Sequence, residues 1–325
     1  MIFRFQRNDP GSIPGRRIHL EIKMTEEKTK ENILTKSSNW YNKNYKFLLL
    51  IPAIILILSL FQLGFSYYQT GDFIQKDISL TGGTSITIFT LDSKIDLNQI
   101  SDFLSGKISD FSIKELSDFR SGKQKAVIIE TKQESTEIRV LIEEFLGYSL
   151  TNENSSIEST GSSLGESFYK QLQLAVLISF ILMAIVVFII FRTPIPSIAV
   201  VISAFADMIM TLAFIDFLGI KVSAAGITAI LMLIGYSVDS DIMLTTRLLK
   251  KQTESDNLTN AFKTGITMTL TSIIAIAAAL LVVQSFSEVL KQIFTFLLIG
   301  LCFDILNTWI TNVSILKWYL DSKRK

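Results

Sequence analysis

The 325-residue chain is poor in the residues that build disulfides, metal sites and highly charged surfaces. It contains one cysteine, Cys302, and one histidine, His19. A single cysteine excludes an intrachain disulfide, and the scarcity of both residue types leaves no metal-ligand cluster. Lysine plus arginine number 31 and aspartate plus glutamate 30, so no excess of positive charge points to nucleic acid. We expect Cys302 to be a packed, inert thiol, and we predict neither a metal nor another cofactor.

Long apolar runs, by contrast, are abundant. Hydrophobic residues make up 49% of the chain and charged residues 19%, and most of the charges lie outside the apolar runs. A helix needs about 17 to 25 apolar residues to cross a bilayer. Six stretches meet this length: 47–67, 173–191, 195–218, 222–246, 265–284 and 293–318. The sequence therefore predicts an α-helical membrane protein with six transmembrane helices in a lipid bilayer.

The basic residues indicate how the chain is oriented. Ten lysines and arginines precede the first span, and others follow the fourth and sixth spans. By the positive-inside rule both termini are cytoplasmic, and the segment between the first two spans lies outside the cell membrane. We predict a disordered cytoplasmic leader over 1–46, in which Met24 is a hypothetical alternative start, then an extracytoplasmic domain over 68–165. A five-helix bundle over 166–318 and a cytoplasmic tail over 319–325 follow.

The extracytoplasmic domain alternates strand and helix signals. Strand patterns occur in ISLTGGTSITIFT (78–90), FSIKEL, AVIIET and the segment 155–160. Helical patterns follow Asp96, a predicted N-cap, and end at Gly147, a predicted C-cap. The order βαββαβ predicts a ferredoxin-like α+β domain, with two helices on one face of the sheet. The Gly82–Gly83 pair is followed by a strand, so it is no phosphate loop; a bulge or a close approach of two backbones explains it.

Five acidic residues lie within the predicted spans. They are Asp207, Asp216, Asp239, Asp241 and Asp304. An ionised carboxylate near the bilayer centre costs from about 2.5 to over 10 kcal/mol, so such a residue must face protein, water or a partner charge. Asp216 lies near a span end, where water reaches it. The other four are candidates for an intramembrane polar pathway that carries protons.

Two of these acids lie in the fourth span and point in different directions. Successive helical residues turn by about 100°, so Asp239 and Asp241 point about 200° apart and cannot serve one point on one neighbour. Gly235, Ser237 and Ser240 surround them and are typical of close helix packing. We expect Asp239 to be buried in protein, and Asp241 to be wetted from the cytoplasmic side.

The charge that balances these acids is left open by the sequence. Arg247 either extends to the lipid headgroups or pairs with Asp241 or Asp304. No other basic residue lies in the core of a span. The acids are therefore either protonated or balanced by a base from another chain.

Five motifs in this order carry a family resemblance. They are ISLTGGTSI after the first span, TGSSLGES before the second, SAFADMIMTL in the third, GYSVDSDIMLTTR in the fourth and DILNTWITN in the sixth. Together they resemble the SecF family in its archaeal form, the smaller partner of the SecD–SecF protein-export complex. This family belongs to the resistance-nodulation-division superfamily.

The resemblance implies a function as well as a fold. It implies assembly with SecD into a twelve-span unit that cooperates with the Sec translocon on unfolded exported polypeptide, without covalent catalysis. Asp207, Asp239 and Arg247 match motif residues of the family, and Asp241 matches an acid of its archaeal members. Thr81, Gly82, Gly83 and Thr84 belong to the outer-domain motif. Bacterial members use the proton gradient and carry an arginine in the fifth span, whereas TGITMTLTSI has none.

Two other functions are compatible with the same residues. Exporters of lipids or small molecules share the superfamily fold, since a fold does not determine the cargo. Such exporters join two six-span halves with large outer domains, whereas this chain has one half and one small domain. The other alternative is a purely structural assembly subunit, in which the acids serve only as hydrogen-bonding groups between helices.

Overall fold

The computed structural model describes residues 45–90, 94–108, 111–118, 121–249, 254–284 and 287–323. The predicted leader lies outside the described residues except for its last two positions. The described helices are α1 Leu50–Thr70, α2 Ile78–Thr81, α3 Leu97–Ser105, α4 Ser135–Leu146, α5 Ser162–Phe191, α6 Pro194–Phe217, α7 Ala224–Leu249, α8 Glu254–Val283, α9 Glu288–Leu306 and α10 Val313–Lys323. A π-helical segment, Asn307–Asn312, joins α9 to α10.

Six helices that are long and apolar enough to cross a membrane are confirmed among the described residues. They comprise α1, α5, α6, α7, α8 and the continuous helix formed by α9, the π-helical segment and α10. The second span differs from the prediction, because α5 begins at Ser162 rather than near residue 173. Its first turns are polar, so hydropathy marks only the part that can lie in the bilayer. The polar start of this helix lies next to the sheet that is inserted between the first two spans.

A four-stranded antiparallel sheet is inserted between the first two spans. Its strands are β1 Gly83–Phe89, β2 Phe111–Ser117, β3 Gln124–Thr131 and β4 Ser155–Thr160, in the order β2-β3-β1-β4. Residues 83–160, called the sheet domain below, follow the predicted order βαββαβ. Side chains alternate across a strand, and isoleucines and valines on one face pack with α3 and α4 into a closed core.

Sequence signals at the helix ends of the sheet domain are confirmed. The Asp96 carboxylate accepts a hydrogen bond from the Asn98 backbone N–H at the start of α3. Gly147 ends α4 in the left-handed region at φ 74°. The predicted strand over 78–90 is wrong at its start, however, because residues 78–81 form α2. The β-branched residues there favour a strand, but tertiary packing of α2 against α5 overrides this weak preference.

The sheet domain is attached to α5 by a close approach of two backbones. Gly82 has φ 80°, and a Cβ atom there would lie 2.4 Å from Ser162 Cα. A Cβ atom on Gly165 would lie 2.6 Å from Gly82 N. The two motifs TGG and SSLGE thus pack against each other with no room for side chains. This confirms the close-approach interpretation of the glycine pair.

The centre of the bundle is formed by α6 and α7. In the most apolar 18-residue stretch of each span, 56% of the third span and 50% of the fourth span are buried inside the protein. The corresponding share is 6% for the second span and 6% for the fifth. The inner helices contact the continuous sixth-span helix, while α5 and α8 present apolar side chains outward. Polar groups on the facing sides of α6 and α7 are therefore shielded from lipid.

The glycine contact leads to a stability prediction. Gly165→Ala should lower the apparent melting temperature of the purified protein by several degrees, because overpacking costs about 1 to 3 kcal/mol and only rigid backbone faces the new methyl group. Thermal unfolding in detergent provides the measurement. Gly64→Ala is the matched control, since a Cβ atom there would meet nothing within 4 Å among the described residues. Equal melting temperatures for the two variants would contradict the tight contact.

Candidate functional site

Three aspartates form a buried cluster at the centre of the bundle. Asp207 lies on α6, Asp241 on α7 and Asp304 on α9, and each side chain is completely buried. The three residues are thus contributed by three different spans. Because desolvation of a carboxyl group is costly, their hydrogen-bond partners decide how this cluster is tolerated.

Two of the carboxyl groups are connected through serines of α7. Asp207 accepts a hydrogen bond of 2.6 Å from Ser237 Oγ, and Asp304 accepts one of 3.1 Å from Ser240 Oγ. Thr308 Oγ1 also donates to Asp304, at 3.0 Å. The serines predicted to allow helix packing therefore bridge the buried acids as well.

The π-helical segment supplies the remaining donors. Asn307 Nδ2 donates to Asp207 Oδ1 at 2.7 Å, and Asn312 Nδ2 donates to Asp241 Oδ1 at 2.8 Å. Thr311 Oγ1 in turn donates to Asn307 Oδ1 at 3.1 Å. A π-helical turn is rare and occurs frequently at functional sites. Here it brings both asparagines to the carboxyl cluster.

These donors are residues of the candidate site that sequence reasoning missed. The motif DILNTWITN carried the family resemblance, but only its aspartate was selected as a site residue. The spacing offered a signal, since Asn307, Thr308, Thr311 and Asn312 lie three, four, seven and eight residues after Asp304. This spacing places them on one helical face. A polar stripe of this kind inside an apolar span predicts a buried hydrogen-bond network.

The cluster contains polar atoms without a partner. Among the described residues Asp241 Oδ2 and Asn312 Oδ1 are buried and accept no hydrogen bond. In the same part of the chain, the hydrogen bonds to all three carboxyl groups come from neutral hydroxyl and amide groups. The cluster therefore holds three acids and two unsatisfied acceptor oxygens.

The structure reverses the environments predicted for the two acids of α7. Asp241, expected to be wetted, is fully buried, whereas Asp239, expected to be buried in protein, is exposed on the surface of the chain. The geometric part of the prediction holds, because the two side chains lie on opposite sides of the helix. Periodicity alone does not reveal which of two opposite faces is turned inward.

Asp239 belongs to a stripe on α7 that the described part of this chain leaves uncovered. The stripe consists of Thr228, Met232, Gly235, Tyr236 and Asp239, all exposed, and is called the open face of α7 below. Gly235 does not form the predicted close contact within the described chain, since a Cβ atom there would meet nothing within 4 Å. A small residue, an aromatic ring and a carboxyl group are thus aligned on one exposed face.

Other predicted residues lie away from the carboxyl cluster. Arg247 donates a hydrogen bond of 2.9 Å to Thr264 Oγ1 on α8. Asp216, expected to be solvated, is buried and accepts hydrogen bonds from Gln62 and Ser66 of α1. Cys302, expected to be packed, is exposed on α9, because its face of that helix is turned outward.

The outer-domain motif forms a joint. Thr81 Oγ1 donates to the Asp77 carbonyl at 3.2 Å, and Thr84 Oγ1 donates to the Gln133 carbonyl at 2.8 Å. The two threonines, one on each side of the glycine pair, thus form hydrogen bonds with neighbouring backbone carbonyl groups. Their hydroxyl groups are used for structure at the point where the sheet domain meets α2 and α5.

Comparison with known proteins identifies relatives of this chain. The family profile "Protein export membrane protein SecD/SecF, C-terminal" matches residues 142–322. The chain is 41% identical over 289 residues to the protein-export membrane protein SecF of Methanocaldococcus jannaschii, covering 87% of this chain and 98% of that protein. It is 38% identical over 278 residues to SecF of Methanolacinia petrolearia, covering 85% and 94%.

Solved structures show the same fold. SecDF of Thermus thermophilus, described as a translocon-associated membrane protein, matches with a TM-score of 0.67 at 17% identity over 86% of this chain. The chain spans only 38% of that SecDF chain. At this identity the likeness concerns the fold, while the sequence relatives establish the family. This six-span chain belongs to the SecF family of protein-export membrane proteins.

Proposed function

We propose that this chain works in Sec-dependent protein export as one half of a two-chain unit with SecD. The observation that carries the proposal is the open face of α7. A carboxyl group on a lipid-facing helix costs about 2.5 to 3.5 kcal/mol on insertion scales. Asp239 projects from a candidate membrane span and is not covered by the described residues of its own chain, so a second protein surface that covers it removes this cost.

The comparison with SecDF supports a second chain. The fold of this chain corresponds to 38% of the SecDF chain, which leaves most of that longer protein without a counterpart here. Gly235 on the open face allows a partner helix to approach closely, because small residues let backbones pack together in membranes. Tyr236 and Asp239 offer that helix an aromatic surface and a hydrogen-bonding group.

The sheet domain is proposed to act on exported polypeptide outside the membrane. The basic residues before the first span support an outer location by the positive-inside rule. The strand order β2-β3-β1-β4, with α3 and α4 on one face, supports a ferredoxin-like domain. Its edge strands β2 and β4 leave backbone groups unpaired, which an extended client chain is able to pair with. The Sec translocon would deliver that chain.

The buried carboxyl cluster is proposed to exchange protons. Within the described residues, the hydrogen bonds to the three aspartates come from neutral donors, and Asp241 Oδ2 and Asn312 Oδ1 are acceptors that lack a donor. A proton on Asp241 supplies one donor and removes a charge from the interior. The fifth span contains no arginine, so the proton would pass among carboxyl, hydroxyl and amide groups. Protons would enter and leave where motion of the partner opens the cluster to water.

The open face gives the first test of this function. Gly235→Leu should reduce the fraction of SecD that co-purifies with the chain about tenfold, which corresponds to about 1.4 kcal/mol of association free energy. The leucine fills space that the partner backbone needs, while the chain's own fold is unaffected because a Cβ atom at this position meets nothing within 4 Å among the described residues. Quantitative pull-down of SecD from detergent-solubilised membranes is the measurement.

Two further variants make this test specific. Gly64→Leu introduces the same side chain at another exposed helical glycine with no neighbour within 4 Å among the described residues, and should leave SecD binding unchanged. Asp239→Asn tests the carboxyl group itself and should weaken binding. Equal SecD recovery for Gly235→Leu and Gly64→Leu would place the partner on another surface.

The carboxyl cluster gives a second test. Asp241→Asn, in a complex with SecD reconstituted into vesicles with the translocon, should abolish the stimulation of export by a proton gradient. The amide replaces the carboxyl group in shape but cannot exchange a proton. Export in vesicles with and without the gradient is the measurement, and SecD co-purification is checked in parallel.

Asp216→Asn is the matched control for this substitution. Asp216 is also a buried aspartate of a membrane span, but its contacts are to Gln62 and Ser66 rather than to the cluster. It should keep the response to the gradient. A full response in Asp207→Asn, Asp241→Asn and Asp304→Asn alike would show that the cluster serves only as hydrogen-bonding groups between helices, which is the structural alternative.

A further inference from the structure

The sheet domain and the bundle meet at a cavity of about 450 Å³. Glu130, Thr131 and Lys132 line it from the end of β3, residues of the segment 72–81 line its side, and Lys221 lines it from the loop between α6 and α7. The cavity therefore separates a sheet from the end of a membrane bundle. Charged groups from both parts face each other there.

The segment between α1 and the sheet domain is fixed to the bundle by backbone hydrogen bonds. Lys76 and Val222 form a parallel β-bridge. Asp77 N donates to the Val222 carbonyl at 2.9 Å, and Val222 N donates to the Gln75 carbonyl at 2.7 Å. This side of the cavity is thus a fixed part of the bundle. The other side is formed by β3, which belongs to the sheet domain.

Glu130 is the buried group at this contact. Strand alternation places it on the sheet face opposite Ile129, away from α3 and α4, and only 7% of the residue is exposed. Its Oε1 atom lies 2.7 Å from Lys114 Nζ, but Oε2 has no partner among the described residues. Asp77 Oδ1 is a second buried carboxylate oxygen without a partner there.

Charged residues of both the sheet domain and the bundle side surround Glu130. Within the sheet domain these are Lys114 on β2 and Lys132 after β3; from the bundle side they are Asp72, Lys76, Asp77 and Lys221, with Glu288 of α9 close to Lys114. Burial raises the pKa of Glu130 above its ordinary value, and the nearby Asp77 carboxylate raises it further. Lys114 and Lys221 lower this pKa without reversing the direction.

We propose that Glu130 is a proton-controlled latch between the sheet domain and the bundle. With Glu130 neutral, the sheet face remains docked over the segment that contains Asp77. With Glu130 ionised, its buried charge is repelled by the nearby Asp77 carboxylate, and the sheet domain swings away about the glycine joint. Lys114 keeps 35% of its side chain exposed, so water solvates its ammonium group when Glu130 is neutral.

The direction of the pH response follows from linkage. In the undocked state Glu130 is solvated and titrates with the ordinary pKa of a glutamate, whereas docking raises its pKa. Docking is therefore accompanied by proton uptake, is fully favoured below the ordinary pKa and weakens as pH rises through the raised value. Each unit of difference between the two pKa values changes the ratio of docked to undocked molecules about tenfold.

Spin labels on the full-length chain in lipid nanodiscs test the latch. Cys302→Ser removes the native thiol, and cysteines at Thr136 in α4 and Leu218 after α6 carry the labels, since both positions are exposed. Pulsed dipolar spectroscopy measures the distance between them from about pH 5 to about pH 8, a range that spans ordinary and raised carboxyl pKa values. The longer-distance population should grow severalfold as pH rises.

Two glutamate variants separate the latch from a general effect of pH. Glu130→Gln mimics the neutral form and should stay docked at every pH. Glu158→Gln is the matched control, because Glu158 lies in the same cross-strand row of the sheet but is exposed, and it should respond like the unsubstituted chain. A label pair within the sheet domain, at Thr136 and Ser156, reports whether that domain remains folded.

Two results would overturn the proposal. One is a distance distribution of the parent chain that does not change with pH. The other is a Glu130→Gln variant that undocks with rising pH as the parent chain does, while its label pair within the sheet domain is unchanged. The inference depends neither on SecD nor on proton exchange in the buried cluster, so either of those proposals can fail without it.

Discussion

The burial of three carboxyl groups inside a membrane bundle is the constraint on which the rest of this structure depends. Asp207, Asp241 and Asp304 can be buried only where each receives hydrogen bonds, because an unsatisfied polar group in a low-dielectric interior costs several kcal/mol. Serines on α7 and asparagines of the π-helical segment meet this requirement. This requirement for hydrogen-bond donors explains why α6 and α7 are central and why the sixth span departs from α-helical geometry.

The sequence predicts the helices and strands of this structure better than it predicts which side of each helix is buried. Hydropathy identifies six spans because the bilayer requires long apolar helices, and period-two alternation identifies the strands because one sheet face is buried. Neither signal distinguishes the two sides of α7, since Asp239 and Asp241 have similar neighbours along the chain. The inward side is determined by contacts with α6 and α9, which are distant in sequence. Local propensity likewise failed at 78–81, where packing against α5 makes a helical turn.

The glycine motifs show how sequence and packing combine at the joint. Their φ values and contacts leave no room for a Cβ atom, so the backbone of α2 lies directly on the start of α5. The contact between Gly82 and the start of α5 involves backbone atoms only, so no side chains have to repack there when its angle changes. It suits a domain that has to move relative to a bundle, whereas an interdigitated core would resist such movement.

The buried carboxyl cluster and the contact beneath the sheet domain are connected by the same helices. Gln292 near the start of α9 donates to the Lys221 carbonyl at 2.6 Å and hydrogen-bonds with Ser223, next to the cavity beneath the sheet domain. Asp304 follows on the same helix about 18 Å away, at 1.5 Å per residue. The loop that carries Lys221 also leads into α7, which contains Asp241. A shift of α9 or α7 along its axis would therefore move residues of the buried cluster together with the bundle residues beneath the sheet domain. Such a shared movement is the physical requirement for coupling these two regions.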